Sequence, residues 1–194
     1  RGNVRLTTDT VRAALLGLEG QNLLRVDLDS WRRKILASPW VQDVALRRVL
    51  PSTVDVTVTE RTPAALGRIK GELMLVDASG FLIDRFGPQY AGLDLPIVDG
   101  LDVAAPKPGT QASHQGTGLA FRVLASLQRD ARIAKRVSQV NVSDTHNAHV
   151  TLSGDPAVLY LGDAEFLKRI QTYLQLAQAL RVHVPEIQYV DLRF

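Results

Sequence analysis

With 194 residues, 45% of them hydrophobic and 22% charged, the chain has ordinary globular composition and room for one large or two small domains, of which two are expected. Its 23 Lys and Arg nearly balance 20 Asp and Glu, so a formal charge of +3 assigns no nucleic-acid or lipid partner by itself, and 6% aromatics are too sparse for a base-stacking surface. The lack of cysteine excludes disulfides, thiolate zinc sites and a cysteine nucleophile, and it fits an oxidising compartment without requiring one. No apolar run reaches the roughly 18 residues of a membrane helix, and no signal peptide opens the chain. The start at Arg1-Gly2-Asn3 reads as that of an excised piece.

From Thr8 to Leu18, apolar residues at Val11, Leu15 and Leu18 predict a short amphipathic helix with Thr8 or Asp9 as N-cap and Gly20 as its end. A second helix is predicted after Asp29, with Trp31, Ile35 and Leu36 on one face and Arg32, Arg33 and Lys34 toward water, closed by Ser38-Pro39. Trp40 is expected to anchor the core beside it. Two alternating runs, Val44 to Arg47 and Val54 to Val58, form a hairpin around Leu50-Pro51-Ser52-Thr53, where the proline suits a type I turn. With an earlier strand lying upstream, this is a small β-α-α-β-β domain whose three-stranded sheet packs both helices on one face. It ends near Glu60-Arg61-Thr62-Pro63, giving domains at 1–63 and 64–194.

The second domain opens as a meander of Ala65 to Ile69, Leu73 to Val76 and Phe81 to Ile83. Residues 99–116, with Pro106-Lys107-Pro108-Gly109, read as an exposed and mobile excursion. A helix from Leu119 to Gln128, a strand from Val137 to Val142 and a hairpin of Val150 to Leu152 with Val158 to Leu161 follow. Asp163 is expected to cap the longest helix, whose stripe is Phe166, Leu167, Ile170, Leu174, Ala177 and Leu180, and Pro185 to stop it. The fold class is therefore α+β, with a larger mixed α/β domain built on an antiparallel sheet that keeps an open C-terminal edge. That edge is the last segment, Ile187 to Phe194. Alternation puts Val190, Leu192 and Phe194 on one face and Tyr189, Asp191 and Arg193 on the other.

Little in the sequence points to chemistry. His146 and His149 lack the helical spacing of a metal pair and read as a solvated loop, while His114 and His183 are isolated. No nucleophile elbow, phosphate loop or zinc-protease helix occurs. Gly116-Thr117-Gly118 precedes a helix without the rest of a dinucleotide fingerprint and reads as a flexible lead-in. Glu60, Asp77 and Asp84 sit at turns or strand ends, so the chain is not expected to be an enzyme or to hold a cofactor or metal. Arg32-Arg33-Lys34 with Arg47-Arg48 could meet phosphate, but a solvated helix face explains them more simply, and no nucleic-acid partner is expected.

The order of several segments resembles the FtsQ/DivIB family of bacterial cell-division proteins. Gly2-Asn3 followed by Thr8 to Leu18, Asn22 to Asp27, Pro39-Trp40-Val41, Arg47 to Pro51 and Val58 to Ala64 resemble its POTRA module. Leu75-Val76-Asp77 to Gly80, Leu95-Pro96, Tyr160-Leu161-Gly162 and Val190 to Phe194 resemble its β domain. Leu50 and Phe194 depart from the Trp and Tyr common there, and the family's partner-binding segment runs on past the motif that ends here at Phe194. The resemblance implies a non-catalytic divisome scaffold acting at the septum. It implies an inner-membrane protein with a single span upstream, this part being periplasmic, that binds FtsB and FtsL through its β domain. Partner contact is expected at Tyr189, Asp191, Arg193 and Phe194, with a second edge from Val44 to Arg48 offering Arg47 and Arg48 to another division protein. The alternative is a POTRA-type module that handles polypeptides in export or outer-membrane assembly.

Overall fold

The protein is described by a computed structural model covering residues 8–184 and 186–194, with the side chains of residues 8–10, 114 and 115 left aside. Gly2-Asn3, the expected caps Thr8 and Asp9, and Pro185 therefore fall outside the described residues or side chains. The chain divides into two compact units, Arg1–Thr62 and Pro63–Phe194.

In the first unit, α1 (Thr8–Ala14) and α2 (Leu28–Leu36) precede an antiparallel pair, β1 (Val41–Val49) and β2 (Thr53–Glu60). The second helix starts earlier than its polar run suggests, because the Asp27 carboxylate accepts the amides of Asp29 and Ser30 and supplies the cap. Ile35, Val41, Val44 and Val58 form the core, with Val11, Leu15 and Leu46 packed against it. Trp31 is the buried tryptophan, its ring carrying the Lys34 ammonium 3.8 Å away, whereas Trp40 is only half-buried. The two strands are joined through residues 50–52, where the Leu50–Pro51 peptide is cis. Among the described residues this sheet has two strands; the third was expected upstream of them.

The second unit is an eight-stranded sheet in the order β10-β9-β8-β7-β6-β3-β4-β5. Its strands are β3 (Pro63–Ile69), β4 (Glu72–Asp77), β5 (Leu82–Arg85), β6 (Ile97–Asp99), β7 (Val137–Asn141), β8 (Ala148–Leu152), β9 (Val158–Gly162) and β10 (Tyr189–Asp191). The sheet is mixed where an antiparallel one was expected: β3, β6 and β7 run parallel, as do β9 and β10. Parallel neighbours need a crossover, which β4 and β5 supply between β3 and β6 and helices supply in the other two pairs. Between β6 and β7 lie α3 (His114–Leu127) and α4 (Ala131–Ala134), and between β9 and β10 lies α5 (Phe166–His183). Leu119, Val123 and Leu127 of α3 and Phe166, Ile170 and Tyr173 of α5 join the inward strand residues in one core.

Residues 99–116 are not the expected loose excursion. Leu101, Val103 and Ala112 are buried in the core, and the segment pairs with the β5 edge: Gly109 donates to the Leu82 carbonyl at 2.8 Å and Leu82 to that of Thr110 at 2.9 Å. Apolar residues spaced irregularly among prolines conceal a packed segment from periodicity. Gly116 and Thr117 lie inside α3, not in a flexible lead-in. A β-carbon on Gly116 would stand 2.8 Å from the Gly100 carbonyl, so glycine there permits the helix to approach the chain closely. Asp163 does not cap α5; the residue before the helix is Glu165, in a left-handed conformation with no side-chain cap. Asp77 and Asp84 serve turns: Asp77 accepts the amides of Ser79 and Phe81, and Asp84 accepts the Tyr90 hydroxyl at 2.6 Å.

Candidate partner-binding edge

At the end of the sheet, β10 lies parallel to β9, with Tyr189, Val190 and Asp191 opposite Val158, Leu159 and Tyr160. The Val158 amide donates to the Gln188 carbonyl and the Leu192 amide to that of Tyr160, both at 3.0 Å. In a ladder so phased, the backbone groups of Tyr189 and Asp191 point away from β9. At the other end of the sheet, residues 109–112 pair with Gly80 to Leu82 and so cover the start of the β5 edge. Among the described residues no strand pairs with the outer side of β10.

Side chains around the bare edge are held in place. Arg193 clamps Asp191 from Nε and Nη2 at 2.9 and 2.6 Å, and its amide donates to Asp191 Oδ1 at 3.1 Å. These hydrogen bonds hold the Asp191 carboxyl down to about 2. Arg169 of α5 donates to the Leu161 carbonyl and, at 3.1 Å, to that of Arg193, tying the chain end to the helix. Gly162 makes this possible: its φ is +64°, and a β-carbon there would lie 3.0 Å from Arg169 Nη1 and 3.4 Å from Arg193 Cγ.

Val190 and Leu192 pack on the core as alternation requires. Phe194 does not join them. Regular pairing ends at Asp191, where the Arg193 amide turns to the carboxylate, and the Phe194 side chain is fully exposed. Tyr189 is 61% exposed, and its ring stacks on that of Tyr160 at 5.4 Å, which in turn stacks on His149 at 4.2 Å. His149 is thus a strand residue and not part of a solvated loop. Burial pushes its pKa down, Asp144 offsets this in part, and Arg193 adds to it. The stack is invisible in the sequence because its three members come from three strands.

In the first unit Arg48 has an internal role, donating to the carbonyls of Leu23 and Val26 at 2.9 and 2.7 Å, while Arg47 is exposed. Arg32 pairs with Asp43 at 2.6 Å and also takes the Val44 carbonyl, so it covers part of the β1 backbone expected to receive a partner. Among the described residues no cluster of His, Asp and Glu could hold a metal ion, and no helix is long and apolar enough to cross a membrane.

A small α/β unit followed by a mixed sheet with one bare edge defines a POTRA-plus-β-domain protein. Residues 1–61 match the family model for the POTRA domain, FtsQ-type, and residues 65–193 that for Cell division protein FtsQ/DivIB, C-terminal. The chain belongs to the FtsQ/DivIB family of cell-division proteins. It is 28% identical to the cell division protein FtsQ of Koribacter versatilis, over all of this chain and 56% of that protein. To the FtsQ of Myxococcus fulvus it is 36% identical, over 90% of this chain and 61% of the relative. The chain thus spans a little more than half the length of these curated relatives.

Proposed function

We propose that this chain is the extracytoplasmic part of a non-catalytic divisome scaffold, anchored in the inner membrane by an upstream span. Its second domain takes a strand of FtsB, with FtsL alongside, on the outward edge of β10. The observation that carries this reading is the outward direction of the backbone groups of Tyr189 and Asp191, which face away from β9, whereas at the other end of the sheet residues 109–112 pair with Gly80 to Leu82. An added strand would gain main-chain hydrogen bonds from β10, and Tyr189 and Phe194 would give it apolar and aromatic contact. Arg193 would meet partner carboxylates with the part of its guanidinium that Asp191 does not occupy.

Titration of an FtsB peptide against the chain tests this. Arg193→Ala is expected to weaken binding at least tenfold while thermal unfolding shifts by only a few degrees; unchanged affinity would remove β10 as the binding edge. In the first unit Arg47 and Arg48, both exposed, remain candidates for contact with a second division protein, and photo-crosslinkers there should capture one in dividing cells.

A further inference from the structure

Away from the bare edge, α4 and α5 bound two adjoining clefts of about 560 and 520 Å³ that share Arg136 and Leu174. The segment Arg129 to Arg136 carries four cations and one anion, a surplus of three equal to the formal charge of the whole chain. Across the cleft stands Arg181 of α5.

Both carboxylates of this region are already engaged. Asp130 caps α4 through the amides of Arg132 and Ile133, and buried Asp155 accepts the Tyr173 hydroxyl, the Ala157 amide and Arg181 at 2.8 to 3.1 Å. Arg136 makes no side-chain hydrogen bond among the described residues, and Arg132 reaches Asp130 only at 3.6 Å. Gln171, Gln175 and Gln178 line the same clefts at helical spacing, and exposed Val182 borders the one that holds Arg181, beside Ala177.

We propose that this cleft docks an extended acidic peptide segment of a partner protein. Its carboxylates meet Arg136 and Arg132, the glutamine amides bond its backbone, and one apolar side chain rests on Leu174, Ala177 and Val182. The stretch from Gln171 to Val182 is about 17 Å of helix, the length of roughly five extended residues. A cleft between helices admits a single chain, whereas a lipid surface meets a flat or convex patch.

A fluorescein-labelled hexapeptide of alternating glutamate and leucine tests the proposal by anisotropy, with lysine replacing glutamate in the control and phosphatidylglycerol vesicles as the competing ligand. The acidic peptide should bind, lose affinity with added salt, and weaken tenfold or more on Arg132→Glu with Arg136→Glu, while FtsB-peptide binding is unchanged. Arg136→Gln, which leaves the Asp130 cap intact, serves if the double variant melts early, and a threefold or greater loss is expected. No binding, equal binding of the lysine peptide, unaltered affinity in the variants, or vesicle binding that these variants abolish would each overturn the proposal.

Discussion

Asp155 is buried yet charged, because three donors converge on it. Burial alone would raise its pKa, but the Tyr173 hydroxyl, the Ala157 amide and Arg181 together hold it below the usual carboxylate value. Such a group stabilises the fold above the carboxylate pKa of the unfolded chain, near ~3.9, and this contribution is lost as pH falls through the depressed folded value. Tyr173→Phe removes one donor and should cost about 1–2 kcal/mol in urea unfolding at pH 7, with a smaller cost once the pH has fallen below the depressed folded value. Of the two tryptophans of the first unit, Trp31 is buried and Trp40 half-buried. Trp31→Ala should cost about 3–5 kcal/mol and abolish that unit's thermal transition, whereas Trp40→Ala, at a half-buried site, should leave a measurable one.

Strand β10 is short, and what it offers a partner follows from which way its backbone groups face. Tyr189 and Asp191 turn them outward, whereas Val190 turns its own toward β9. Tyr189→Pro should therefore abolish binding of an FtsB strand with little loss of stability, Tyr189→Ala controlling for the missing ring. Val190→Pro should lower both, since it removes a ladder bond as well. Binding and melting measured on the same three proteins decide this; equal binding by Tyr189→Pro and wild type would show that the edge backbone is not used. Helix α5 supports the strand from behind, with Arg169 joining the carbonyls of Leu161 and Arg193 across the last turn of chain.

Across the whole molecule, each unit has its own core: Ile35, Val41, Val44 and Val58 in the first, and a much larger set around Met74, Val140, Leu159 and Ile170 in the second. Burial grows faster than surface with size, so the larger unit should fold alone. A fragment of residues 63–194 is expected to unfold in one cooperative step and to bind the FtsB peptide as the full chain does; a fragment without a cooperative transition would show that the second unit depends on the first.

Elements whose apolar residues recur locally were legible in the sequence. The α5 stripe, the alternation of β1 and β2 and the meander of β3 to β5 each write burial into neighbouring residues, and the order of the family's segments was readable alongside them. Pairing between distant strands leaves no such trace. The three residues of β6 carry too short a pattern to mark a strand, yet they lie between β3 and β7 and make the centre of the sheet parallel. Alternation read through Asp191 would bury Phe194, whereas the clamp of Arg193 on Asp191 ends the ladder and leaves that ring in solvent. The sequence by itself determined the family and the presence of a terminal strand. Only the tertiary structure decided which sheet edge is covered, which tryptophan is buried and that His149, Tyr160 and Tyr189 stack, because each depends on groups far apart in the chain meeting across strands or helices.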